Sequence, residues 1–219
     1  MNQMSRKVSH EDQTYRHAMG RLLVLYTQVD RLIMEICAER ISHAPDEAAK
    51  LALAKQVGDE SRHVAIQHEW MASFGTDRTP VLTADQETAF RAHFRGLPWL
   101  DFLADLYLCV ECLGSEAVGN IVPLADPGTR ESLHVPLADE VDHVAFGVTR
   151  LRQELARLPA AERVAFVAKI PGRIERLADA FLNPDLDIET LFAAVGADYD
   201  ALCDALDRRR DEVMEQVAA

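Results

Sequence analysis

Leu22, Leu25, Val29, Leu32, Ile33 and Ile36 recur at steps of three and four residues, the spacing of one helix face. This predicts a first long helix that opens near Ser9, with Asp12 three residues on, and runs to about Ile41. His43-Ala44-Pro45-Asp46 reads as a short turn, with Pro45 suited to opening a second helix that runs to about Phe74. Gly75 can end that helix. Residues 75–82 form a longer crossing loop with Pro80, and a short helix from about Thr83 breaks near Gly96-Leu97-Pro98. A third long helix is predicted over about 98–121, stopping before Pro123. After a turn at Asp126-Pro127-Gly128, a fourth runs from about Thr129 to Leu158, with Pro136 a candidate kink. The first two long helices are joined by a short connection, as are the last two, and the middle connection is long. That is an all-α architecture of two antiparallel hairpins linked by one crossover, with the four-helix core over about 11–157. The tail, about 159–217, reads as further helices interrupted at Pro171, Pro184 and Gly196. No low-complexity linker separates it, so residues 1–219 are expected to form one domain.

Composition changes this picture little. Hydrophobic residues at 48% and charged residues at 27% suit a soluble globular chain. The net charge of −13 speaks against nucleic acid as a general partner. No stretch approaches the roughly 20 apolar residues of a membrane span, so no membrane partner is expected. The polar N-terminus lacks the apolar core of a signal peptide, and four cysteines lie inside helical, apolar stretches. Both features point to a reducing cytoplasm.

A repeat carries the chemistry. Residues 59–65 read Asp-Glu-Ser-Arg-His-Val-Ala and residues 139–145 read Asp-Glu-Val-Asp-His-Val-Ala. Upstream, Leu25-Tyr26 and Asp30 are echoed by Leu106-Tyr107 and Glu111. Asp30 precedes Glu60 by 30 residues, and Glu111 precedes Glu140 by 29. Glu-x-x-His puts both side chains on one helix face, so Glu60 pairs with His63 and Glu140 with His143. Asp30 and Glu111 also sit on apolar faces, where unpaired carboxylates are costly. One Glu-x-x-His is a weak motif, but two in a shared frame, each with an acid at matched distance, point to six ligands for two metal ions. Oxygen and nitrogen donors of this mixture suit iron or manganese. Glu60 and Glu140 would bridge the ions, leaving one histidine and one terminal acid for each. Glu35 and Glu116 repeat as well, but five residues turn a helix by about 140°, so they face elsewhere as salt-bridge or solvated residues.

The six-ligand pattern over about 11–157 resembles the ferritin-like di-iron carboxylate proteins. Its Asp-Glu-x-x-His form is most similar to the oxidase and oxygenase branch. That branch includes bacterial di-iron monooxygenases, the ribonucleotide reductase small subunit, phenylacetyl-CoA epoxidase and para-aminobenzoate N-oxygenase. The resemblance implies two Fe ions, with a Mn/Fe pair as the variant. It also implies that Asp59 and Asp139 orient the ligand imidazoles across the pseudo-two-fold axis. Asp30 departs from the commoner Glu, and its shorter arm would leave the first metal site more open. The activity implied is oxidation of a small organic substrate by dioxygen. No flavin or nicotinamide fingerprint is present, so electrons would come from a ferredoxin or flavin reductase. Ferroxidase or peroxidase activity, iron handling, and a non-catalytic metal-binding scaffold are the alternatives.

Finer roles follow with their bland counterparts. Ser115, four residues beyond Glu111, resembles the Thr that some monooxygenases place over the metals and is read as a proton relay; otherwise it is a small helix-packing residue. Tyr26 and Tyr107 each precede a ligand acid by one turn and are read as hydrogen-bonding the carboxylates or holding a radical, or else as core residues with a satisfied hydroxyl. Cys37, Cys109, Cys112 and Cys203 read as buried thiols, since the Cys-x-x-Cys lies in an apolar helix without a second pair. Arg62 and Asp142 occupy matched repeat positions and are expected to pair with each other. The tail would cover the metal site or form a homodimer face.

Overall fold

The computed structural model of the chain describes residues 9–181 and 186–218, and all regular structure among them is helical. The first helix, α1 (Gln13–Ile41), is capped by Asp12, whose carboxylate accepts the Thr14 N–H at 2.7 Å. Ser9 is therefore not the cap; its carbonyl closes a preceding turn by accepting the Asp12 N–H. Helix α2 (Glu47–Phe74) is likewise capped by Asp46, which accepts the Ala49 N–H at 2.9 Å, so Pro45 lies just outside the helix rather than opening it. Gly75 ends α2 at φ 77°, where a side chain would be strained. Thr83 and Gln86 form a reciprocal cap at the start of α3 (Ala84–Arg95), the short helix of the crossover, which lies along α1.

The third long helix departs from expectation. It begins as α4 (Trp99–Leu103), widens into a π segment (Ala104–Glu111), and returns to α geometry in α5 (Cys112–Ile121). Among the described residues it is the one stretch of π-helix, and it ends on Glu111. Helix α6 (Pro127–Ala156) starts two residues earlier than expected, because Asp126 caps it through the Gly128 and Thr129 N–H groups and Pro127 needs no donor at the first turn. It runs unbroken through Pro136.

Helices α1 and α2 share the most extensive contact, and α6 packs against both α2 and the π segment. The close approach of α6 to the π segment depends on Gly147, where a Cβ would run into the base of the Tyr107 side chain. Two apolar clusters fill the bundle. One is built around Leu32, Leu53, Phe102, Leu106 and Leu151, the other around Tyr15, Met19, Met71 and Phe74.

The tail is bound to this core. Helix α7 (Ala160–Val167) is followed by α8 (Ile170–Phe181), which lies on the π segment; α9 (Ile188–Ala194) lies on α1, and α10 (Tyr199–Ala218) on α5 and α6. The break before α8 falls at 168–169, and Pro171 sits in its first turn instead of interrupting it. Gly196, at φ 89°, lies between α9 and α10; Pro184 is outside the described residues. Arg173 of α8 donates to Asp105, a π-segment carboxylate that is 1% exposed, and His93 of α3 meets the same carboxylate at 2.7 Å. Burial alone would raise the Asp105 pKa, but these two partners hold it below the ordinary value.

Candidate metal centre

Four elements deliver the six predicted ligands to one place. Helix α1 brings Asp30, α2 brings Glu60 and His63, the π segment brings Glu111, and α6 brings Glu140 and His143; none is more than 5% exposed. Donor atoms of Glu60, Glu111, Glu140 and His143 lie within 4.8 Å of one another, as do those of Asp30, Glu60 and His63. Glu60 is common to both groups. Nδ1 of His63 lies 3.1 Å from Glu60 Oε2 and 4.0 Å from Glu140 Oε1. Nδ1 of His143 lies 3.4 Å from Glu60 Oε1 and 3.6 Å from Glu140 Oε2. Both glutamates thus face both imidazoles.

The outer ring nitrogens cross between helices. Nε2 of His63 is 2.9 Å from Asp139, and Nε2 of His143 is 3.2 Å from Asp59. A carboxylate accepting at Nε2 leaves the Nδ1 lone pair free to face inward. Cations hold these acids from outside: Arg62 bonds Asp139 at 2.5 Å and Asp59 at 3.1 Å, and Lys55 bonds Asp59 at 3.0 Å. Burial would push both carboxyls up, yet Lys55 with His143 holds Asp59, and His63 with Arg62 holds Asp139, below the usual range. The expected Arg62–Asp142 pair does not form. Arg62 reaches across the repeat to the two acids, and Asp142 lies 3.6 Å from Lys55.

The protein alone leaves this cluster unsatisfied. Asp30 Oδ2, Glu60 Oε1, Glu140 Oε2 and His143 Nδ1 are buried without a protein hydrogen-bond partner. Burial, then the charges of Glu60 and Glu140, push Asp30 well above the carboxylate range. Burial and the neighbouring Glu140 do the same to Glu111, while burial raises Glu60. Glu140 goes the other way: burial would raise it, but the neighbouring Glu111 carboxyl and the His143 and His63 imidazoles hold it below the usual range. Four carboxyls and two imidazoles, with unpartnered atoms turned toward one another, fit divalent cations. Such ions would replace the held protons and complete the missing contacts.

Sequence reasoning missed Gln56, which is 2% exposed and stands one turn before Glu60. Its Nε2 donates to Glu111, and its Oε1 accepts from the Tyr107 hydroxyl at 2.7 Å. A lone amide on the buried face between Leu53 and Glu60 was the available signal. Gln56→Leu is expected to strand the Tyr107 hydroxyl and cost about 1–3 kcal/mol in denaturant unfolding of the metal-free chain. An unchanged unfolding free energy would show that the chain from Tyr107 to Glu111 carries no weight.

The other candidates lie around the centre. Tyr26 has a buried hydroxyl with no protein partner. Ser115 is half-buried, and its Oγ donates to the Cys112 carbonyl at 3.1 Å. Glu35 pairs with Arg31 and Arg91, and Glu116 with Asn120, away from the ligands. All four cysteines are free thiols. A cavity of about 190 Å³ opens between α1 and α5, with Phe192 of α9 in its wall. Its lining is apolar apart from Tyr26, Asp30, Glu111, Ser115 and Glu140, so the cavity abuts three of the six predicted ligands.

No protein-family model matches this sequence, and no curated protein is similar to it. Solved structures do match. A Synechococcus protein with aldehyde deformylating oxidase activity superposes with a TM-score of 0.75 at 16% identity, covering 97% of this chain and 94% of its own. The fold is ferritin-like. The likeness spans the tail as well as the bundle, so α7 to α10 belong to the shared architecture. Among the described residues no helix is long and apolar enough to cross a membrane.

Proposed function

We propose that the chain is a di-iron oxidase or oxygenase that uses dioxygen to oxidise a small, apolar organic substrate. The observation that carries this reading is the apolar cavity that ends on Asp30, Glu111 and Glu140. A storage or scaffold role gives no reason for an apolar chamber beside the ligands. Asp30, Glu60, His63, Glu111, Glu140 and His143 would hold the ions, with Glu60 and Glu140 shared between them. Bound iron supplies the redox chemistry that amino-acid side chains lack, and a manganese–iron pair is the variant the donor set also accepts.

The protein's own contributions follow from the geometry. Asp139 and Asp59 accept at Nε2, which orients the two imidazoles, fixes their tautomer and makes Nδ1 a stronger electron-pair donor. Gln56 holds Glu111 at one oxygen, so the carboxylate keeps its direction. The leucine, valine and phenylalanine walls exclude bulk water from the reacting end of the substrate. Ser115 lines the cavity, and its hydroxyl, now on the Cys112 carbonyl, turns to pass a proton inward. Reducing equivalents come from a separate donor, a ferredoxin or flavin reductase. Similarity of the Synechococcus protein in fold is consistent with an oxidase.

The test is anaerobic iron loading, metal analysis, then oxygen uptake on adding reductant. About two irons per chain with catalytic oxygen uptake, slowed in Ser115→Ala, is the expected result. Oxidation that stops after the loaded iron is consumed, or ends in a mineral, would remove the oxygenase reading.

A further inference from the structure

The two halves of the repeat treat their tyrosines differently. Tyr26 stands four residues before Asp30, and Tyr107 four before Glu111. Tyr107 is fully buried and donates its hydroxyl hydrogen bond to Gln56 Oε1. Gln56 stands four residues before Glu60; the matching position before Glu140 is Pro136, which is also buried and has no side-chain acceptor. Tyr26 accordingly keeps a buried phenol with no protein partner, in the wall of the cavity that reaches the ligands.

We propose that Tyr26 is the donor that holds the oxygen end of an uncharged aliphatic substrate beside the metal site. A buried hydroxyl without a partner is costly, and a ligand oxygen accepting from it removes that cost. Among the polar side chains of the cavity, three are carboxylates and the Ser115 hydroxyl already donates to the Cys112 carbonyl, so the Tyr26 phenol is the donor with no protein bond to give up. The lining contains no Lys, Arg or His, so an anionic end would meet carboxylates with no cation to answer it. The rest of the lining is aliphatic or phenylalanine, which suits an unbranched chain. The cavity volume of about 190 Å³ limits that chain to a short one. The assignment rests on the proposed function in one respect, that this cavity receives the substrate.

Matched probes test it: 2-hexanone, which carries a carbonyl acceptor, and n-hexane, which does not. Both are titrated by NMR into the full chain loaded with zinc, so no turnover occurs. The wild type should prefer the ketone, and Tyr26→Phe should reduce that preference about five- to tenfold while n-hexane binds unchanged. The infrared carbonyl stretch of bound, ¹³C-labelled 2-hexanone should lie at lower frequency in the wild type and move back up in Tyr26→Phe. A merely packing role for the ring would not move that band. The same ketone preference and the same stretch in both proteins would overturn the proposal. Loss of zinc from Tyr26→Phe with the preference intact would also overturn it, by assigning the phenol to a metal ligand. Ketone binding through Tyr26 in a chain that shows no oxygen uptake would refute the oxygenase reading and leave this site standing.

Discussion

Glu60→Gln is expected to retain little of either metal while keeping its helical fold. Glu60 belongs to both donor groups, and its two oxygens lie 3.1 Å from His63 Nδ1 and 3.4 Å from His143 Nδ1. The amide keeps the shape of the carboxyl but loses the charge and turns an N–H₂ toward one imidazole. Both ions lose a shared anionic ligand at once. Asp30→Asn removes a donor from one group alone, so it should keep about one ion where the wild type keeps about two. Elemental analysis after loading and desalting separates these outcomes. Two tightly held ions in Glu60→Gln would end the assignment of Glu60 as the shared bridge.

Stripping the metals should give the second large effect, and its size should depend on pH. At a thousandfold excess of free ion over Kd, each ion stabilises the fold by about 4 kcal/mol. For a chain of this length that moves the thermal midpoint by about 8–16 °C. In the metal-free chain, Asp30 and Glu111 have folded pKa values raised by burial and by neighbouring carboxylates. Burial would lower His63 and His143, but their carboxylate partners raise both. The folded state therefore holds protons that the unfolded chain releases. The stability they confer is complete below the unfolded values, about 4 for the acids and about 6.5 for the histidines, and is lost as pH rises through the folded ones. Chelator-treated protein should melt progressively lower from pH 5 to pH 8, and the gain on adding metal should grow over the same range. Calorimetry with and without metal measures both. A metal effect that shrinks as pH rises would mean that the ions do not displace these protons.

The cluster of six side chains was legible because the constraint is local. Glu-x-x-His needs only helical periodicity to put two donors on one face, and two copies with distant acids define the bundle that joins them. Gln56 was not legible, because an amide one turn before a ligand has no meaning until Tyr107 and Glu111 are known to lie across from it. The π segment was hidden for a related reason. Ala104–Glu111 has the apolar composition of an ordinary buried helix, and the contacts that accompany the wider winding are tertiary: α6 at Gly147, and Arg173 with His93 on Asp105. The helix starts differed from expectation at Ser9 and Pro45 because a nearby aspartate, Asp12 or Asp46, takes the capping role in each case.

The same dipeptide, Leu-Tyr, stands four to five residues ahead of each ligand acid. In α1 the winding is uniform and Leu25 and Tyr26 line the cavity; in the π segment Leu106 and Tyr107 are wholly buried and take no part in its lining. One copy thus puts its tyrosine in the cavity wall, and the other has its tyrosine held by Gln56 in the packed interior. Anyone reshaping this pocket would gain nothing by transferring a successful α1 substitution to its counterpart, because Leu106 and Tyr107 are not in its lining.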